Sequence, residues 1–371
     1  MRVLYITHHG ILEPLGQTQI LPYLSGLALR GHSIDVLSFE KKAHLNDCAR
    51  VAAQLRGLQA AGIRWFPRPY RHGRSLRHLF ADILVTSREI QRRCMQDGID
   101  LLHCRSHVSA SMAWPAATRC KKPLLFDFRG FLAEEFVDAG LWRQGGFRFR
   151  LTKAFERRAA KACSALVALT EPARAYLKEM YQLDLNKLFV IPCCVDLERF
   201  RPNERPVARD QQRPVSVVYA GSTSGRYRTA EMLRFFTLLL DRRPGSHFNI
   251  LSNGEDGSVR ALVGDSGLRP DSVSVDSLPS DKVPNVLSQQ DLGLIFIRGG
   301  RALSAASPTK LGEYLASGLT VVAEERLGGL QKLLIDEGVG CLIDSGRPET
   351  WPAVLDKALQ ICGQSGATAS S

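Results

Sequence analysis

The stretch SPTKLGEYLASGLTVVA at 307–323 brings together residue types suited to holding an anion. Proline is favoured in the first turn of a helix, so Pro308 marks a helix start with Ser307 as its predicted N-cap. Such a start presents free N–H groups and the positive end of the helix dipole, which suits a diphosphate. Lys310 adds a positive charge in the first turn. Glu313, three residues on, falls on a neighbouring face, and its carboxylate can accept two hydrogen bonds from ribose hydroxyls. Gly318 ends the helix and feeds the strand LTVVA. The same residues also fit a plain capped helix with a surface Lys–Glu pair.

Further candidates sit at predicted strand ends. In VVYAGSTSGRYRTAEML (217–233), Gly221 lets the chain approach a ligand closely, and Arg226 and Arg228 can neutralise phosphate or be ordinary loop cations. Asp127 and Arg129 in FDFRGFLAEEF (126–136) belong at the carboxyl end of a strand, as an ion pair or a binding site. His103, Arg105, Ser106 and His107 follow another strand in the same way. The sequence has no GxGxxG, no P-loop, no HExxH and no GxSxG, which disfavours the common dinucleotide, ATP-loop, metalloprotease and hydrolase readings. No acidic pair calls for a metal, so neither metal nor cofactor is expected.

Apolar β-branched runs alternate with helical spacing, the signature of an α/β protein with doubly wound parallel sheets. Strands are predicted at 2–7, 33–40, 61–68, 99–106, 122–130, 164–170 and 187–193, and again at 214–222, 247–254, 272–279, 291–299 and 319–325. Helices are predicted at 19–31, 76–96, 147–163, 229–243, 281–290, 308–317 and 327–337. The Pro- and Arg-rich segment between the two series reads as a linker. The expected domains are 1–195, a linker at 196–212, 213–348, and a C-terminal helix with a disordered tail at 349–371. Ligands of open α/β sheets bind outside the strands' carboxyl ends, here facing a cleft between two domains.

Composition narrows the class. The chain has 371 residues, 44% hydrophobic and 23% charged, enough for two cores. Nine cysteines lie without a CxxC pair and include the adjacent Cys193 and Cys194, which reads as a reduced, cytoplasmic chain. There is no signal-peptide pattern and no apolar run of the ~20 residues a membrane-spanning helix needs. Residues 1–190 carry 29 Lys and Arg against 16 Asp and Glu, so the net charge of +12 arises from the first half. That points to an anionic partner or to a solubilising surface.

The donor-type helix resembles that of the family-4-like retaining glycosyltransferases, which have two Rossmann-like domains (GT-B). VIPCCVDLERFRP (190–202), VVYAGSTSGRYRTAEML and RVLYITHHGILEPLGQTQILPYLSGLALRGH (2–32) resemble further family segments, and the likeness spans about 2–345. It implies transfer of a sugar from a nucleotide-sugar donor with retention, to a glycan, lipid-linked or small-molecule acceptor, in surface polysaccharide or glycoconjugate synthesis. The implied donor set is Gly16, Gln17, Gly221, Ser222, Arg226, Ser307, Thr309, Lys310, Leu311 and Glu313, with Lys310, Glu313 and Arg226 catalytic. Arg105, Ser106, Asp127 and Arg129 fall on the acceptor side. The family's earlier Glu is replaced by Ala305. A basic first domain, through 68–78 and 143–158 with Trp142, Phe147 and Phe149, would suit a peripheral place on an anionic cytoplasmic leaflet. A nucleotide-sugar 2-epimerase and a basic nucleic-acid binder are the competing classes; nucleic acid is not expected as a partner.

Overall fold

The computed structural model describes residues 1–70, 76–203, 212–223, 225–252 and 256–364. Parts of the predicted linker (204–211), tail (365–371) and basic stretch (71–75) lie outside the described residues. The chain forms two compact units: 1–137 with 142–192, and 193–371 with 138–141.

In the first unit, seven strands are formed by β-branched and aromatic runs: β1 (Arg2–Thr7), β2 (Ser33–Glu40), β3 (Ile63–Pro69), β4 (Leu101–Arg105), β5 (Leu124–Phe128), β6 (Ala165–Ala168) and β7 (Leu188–Val190). They make one parallel sheet in the order β3-β2-β1-β4-β5-β6-β7. The second unit contains β8 (Ser216–Ala220), β9 (His247–Leu251), β10 (Val273–Asp276), β11 (Leu292–Ile295), β12 (Thr320–Glu324) and β13 (Gly340–Ile343), ordered β10-β9-β8-β11-β12-β13. Both sheets wind outward one way from their first strand and then the other. The reversals fall between β1 and β4 and between β8 and β11, where such sheets bind ligands.

The strands read as continuous apolar runs because helices cover both faces. Along β8, Val217 and Tyr219 enter one core and Val218 and Ala220 the opposite one. The C-terminal helix Trp351–Gln364 lays Trp351, Leu355, Ala358 and Cys362 onto the first of these, a stripe at helical spacing. The predicted helix 19–31 is instead two, Pro14–Gln19 and Leu21–Leu29, joined at Ile20. Pro22 has no N–H to continue the ladder, so the chain restarts there.

Candidate functional site

In the second unit the site grows from the turn after β8 and from the helix Thr309–Ala316. Tyr314 sets their spacing. Its ring packs on Gly293 of β11, where a Cβ would stand 2.3 Å from Tyr314 Cδ2. Its hydroxyl accepts the Ala220 N–H at 2.7 Å. The helix start is thereby tied to the carboxyl end of β8.

Lys310 is 8% exposed. Its Nζ lies 4.0 Å from the Tyr219 ring centre and 4.2 Å from that of Tyr227, and it makes no hydrogen bond among the described residues. Burial pulls its pKa down to about 7, with Glu313 opposing. Cation–π contact replaces only part of the lost hydration. The ammonium is therefore a buried donor awaiting an acceptor.

Gly221 stands against it. Its φ of 136° favours glycine, and a Cβ there would sit 2.7 Å from Lys310 Nζ. The Gly221 N–H donates to Leu251 O at 2.8 Å, fixing the turn. Ser222 follows, exposed, and its carbonyl accepts the Tyr219 hydroxyl.

Glu313 is half-buried on the same helix. Burial raises its pKa, against Lys310 and Arg199, and no hydrogen bond or ion pair is seen for its carboxylate among the described residues. Arg226 is held through its backbone, its carbonyl accepting the Arg298 N–H at 2.6 Å, while Tyr227 bridges Ile297. Arg228 is tied to Glu231 at 3.0 Å, which makes it a structural cation. Leu311 is buried behind the helix start.

The predicted cap is corrected. Pro308 is the N-cap residue and no side chain caps the helix. Ser307 Oγ instead accepts the Cys193 N–H at 3.1 Å. With φ of −70° and ψ of 129°, Pro308 lies outside the helix, so Ser307 is one position too early to reach the orphan N–H groups near Thr309. The N-terminus is left without a side-chain cap. Ala305 is buried at 1% exposure beneath this segment. Sequence reasoning missed Tyr219, Tyr227 and Tyr314; the tyrosines flanking AGSTSGR were the available signal.

In the first unit, Arg105 ends β4 while Asp127 and Arg129 stand at the end of β5. Arg105 lies 3.5 Å and Arg129 3.6 Å from Asp127. Both guanidiniums also donate to Gln19 Oε1, at 2.8 and 3.1 Å. Asp127 Oδ1 is buried without a hydrogen bond among the described residues. Burial lowers the His103 pKa to about 4, so this ring beside Tyr5 is neutral. His107 is turned away into a buried contact with Glu156 Oε2 at 2.9 Å.

Gly16 and Gln17 shape their own loop. A Cβ on Gly16 would lie 2.4 Å from Ile11 Cα. Gln17 Nε2 donates to Ile11 O and Gln54 Oε1, both at 2.7 Å.

Residues 17–199 match the family model described as Glycosyltransferase Family 4. A D-inositol 3-phosphate glycosyltransferase of Arthrobacter sp. (strain FB24) is 26% identical over 214 residues, covering 54% of this chain and 48% of the relative. The chain spans about half the length of the curated relatives it matches. Two solved structures share the fold across both units. Sucrose-phosphate synthase from Thermosynechococcus elongatus has a TM-score of 0.66 at 15% identity, covering 99% of this chain and 93% of that one. Anabaena Alr3699/HepE, in complex with UDP and glucose, has a TM-score of 0.65 at 15% identity, covering 100% and 95%.

Proposed function

We infer the activity of this chain from its membership of the family-4-like glycosyltransferases of GT-B architecture: it transfers a sugar from a nucleotide-diphosphate sugar to a hydroxyl-bearing acceptor, with retention at the anomeric carbon. The observation that carries the donor half is Lys310, a buried ammonium without a hydrogen bond beside Gly221 and the uncapped helix start. The diphosphate takes the place that the fold leaves open for an acceptor of charge. As the bond to the sugar breaks, negative charge grows on the leaving diphosphate. A pre-placed cation and fixed N–H groups lower that barrier more than they favour the ground state. In this reading Lys310 becomes fully charged as the donor enters and holds the leaving group. Glu313 accepts the ribose hydroxyls, and Arg226, Ser222 and the backbone of Ser307, Thr309 and Leu311 complete the donor contacts. These groups meet the diphosphate charge, so the proposal calls for no metal. Arg105, Asp127 and Arg129 serve the acceptor.

Peripheral attachment to an anionic leaflet, as for a lipid-linked glycan acceptor in polysaccharide or glycoconjugate synthesis, is the finer part of the proposal. It is supported by the helix Phe147–Ala162, which exposes Phe147 and Leu151 among Arg148, Arg150, Arg157 and Arg158. Trp142, beside this helix, stacks on Phe136 at 4.3 Å. No helix among the described residues is long and apolar enough to cross a membrane.

The test is thermal stabilisation by UDP-, GDP- and ADP-sugars of the wild type and of Glu313→Ala. Stabilisation by one nucleotide that the variant loses supports the donor site. Absence of any shift in the wild type sinks it.

A further inference from the structure

None of the nine cysteine thiols has a part in the donor or acceptor chemistry, yet two of them meet between neighbouring helices. Cys94 lies in the last turn of the helix Leu76–Gln96, and Cys120 ends the helix Ser106–Cys120, which packs along it. Cys120 Sγ lies 3.9 Å from the Gln91 carbonyl oxygen, to which it donates. Gln91 is about one turn before Cys94, so the Cys120 sulfur rests on the turn that carries Cys94. The two thiols are in contact there.

Their accessibility differs. Cys94 is 5% exposed, while Cys120 is partly open to solvent. Burial pushes the Cys94 thiol up to about 11, with the Cys120 thiol adding to this and Lys122 opposing it. A thiol in that state is a poor first nucleophile, so Cys120 is the sulfur at which a dissolved reagent reacts first. An accessible thiol with a sheltered one at its side is the arrangement of a dithiol exchange site, in which the second sulfur resolves the adduct on the first. Other cysteines lack it. Cys104 lies near Cys163, but they are 0% and 1% exposed, out of reach of a reagent. Cys341 and Cys362 lie in a core of the second unit. Cys193 and Cys194 are adjacent in the chain, too close for an ordinary bridge.

We propose that Cys94 and Cys120 are a reversible disulfide site, closed by exchange with a low-molecular-weight disulfide and tying the two helices together. Cys120, as thiolate, attacks one sulfur of the reagent, whose S–S bond breaks and whose first thiolate leaves. The Cys94 thiol then gives up its proton and attacks Cys120 Sγ, and the second thiolate leaves. Two protein thiols are oxidised and one reagent disulfide is reduced to two thiols. The bond closes the chain from 94 to 120, a stretch that contains β4 with Arg105 and the helix start with His107. Closing this loop restricts the unfolded chain, so the oxidised form is the more stable one. In a reducing compartment the pair stays as thiols, and the site responds to a shift toward oxidation. The proposal does not depend on the transferase reading.

The experiment incubates the folded full chain with oxidised glutathione, blocks the remaining thiols and maps linked peptides by mass spectrometry. A 94–120 link is expected, with the melting temperature raised by roughly 5–10 °C and both effects reversed by dithiothreitol. In Cys94→Ser the link should vanish and Cys120 should keep glutathione as a mixed disulfide, because its resolving thiol is gone. In Cys120→Ser, Cys94 should stay a free thiol. Cys94→Ala takes the place of the serine variant if the hydroxyl unsettles the helix contact. The proposal is overturned if the wild type forms no 94–120 link, if the link does not raise the melting temperature, if Cys120 takes up no glutathione in Cys94→Ser, or if Cys94 is modified in Cys120→Ser.

Discussion

Lys310 Nζ lies 4.0 Å above the Tyr219 ring, in a pocket that gives the ammonium no hydrogen-bonding oxygen among the described residues. A cation in this setting costs stability and gains it back only when an anion arrives. Lys310→Met keeps the length and removes the charge. It should raise the unliganded melting point, by about 1–3 kcal/mol of stability near neutral pH, and abolish stabilisation by the nucleotide. A variant that loses stability and still binds nucleotide would count against the site.

The same lysine sets a pH dependence. Its folded-state pKa of about 7 lies below its ordinary value of 10.5. Between those values the unfolded chain holds more protons, so this group makes unliganded stability rise with pH. Donor binding runs the other way. The diphosphate favours the charged form, so nucleotide affinity should fall as pH rises from about 7 to 9, with proton uptake on binding near the upper end. Calorimetry in buffers of different ionisation enthalpy checks this.

Glu313 has no hydrogen-bonded or ionic partner to lose among the described residues. Glu313→Gln should therefore leave the unliganded melting point within about 0.5 kcal/mol, yet weaken nucleotide binding by roughly 1.5–3 kcal/mol, the worth of charge-assisted hydrogen bonds. A titration followed by thermal shift reads both quantities from one sample.

Gly221→Ala puts a Cβ 2.7 Å from Lys310 Nζ at a φ of 136°. The expected result is a loss of about 1–3 kcal/mol in stability together with loss of nucleotide binding, since the lysine must swing away. Pairing it with Lys310→Met separates the two causes: the double variant should recover whatever part of the destabilisation came from the clash.

In the first unit, Glu156 joins His107, Lys153 and the Tyr181 hydroxyl in a buried network. Burial alone would raise its pKa, but His107 and Lys153 outweigh that and hold it below the ordinary carboxylate value. Its stabilisation is thus present above that value and fades as pH falls through the lowered one. Glu156→Gln should cost about 3–5 kcal/mol at neutral pH and loosen the hold on His107, measurable by hydrogen exchange at the start of the helix Ser106–Cys120.

Much of this was written locally. The strands 2–7 and 33–40 follow from β-branched runs between polar turns, and the matching strand orders of the two sheets follow from strand–helix alternation, which leaves few right-handed ways to wind. Lys310, Glu313 and Gly221 were legible because a helix start after a Pro, a first-turn lysine and a strand-end glycine are local patterns. The strand Gly340–Ile343 and the helix Ser106–Cys120 were not. The first is four residues long, and the second is buried along Ala110, Ala113, Ala116 and Ala117 with too little polar contrast to show a period. The break at Ile20 came from one proline, and Ser307 lost its capping role to a bond with Cys193, 114 residues earlier in the chain. The lysine's charge was visible in the sequence, but its cage was not. Tyr219 and Tyr227 lie far from Lys310 along the chain, and only folding brings their rings over it, removes its water and moves its proton equilibrium. In the same way, the sequence names Arg105 and His107, while their partners Gln19, Asp127 and Glu156 are brought to them only by the fold.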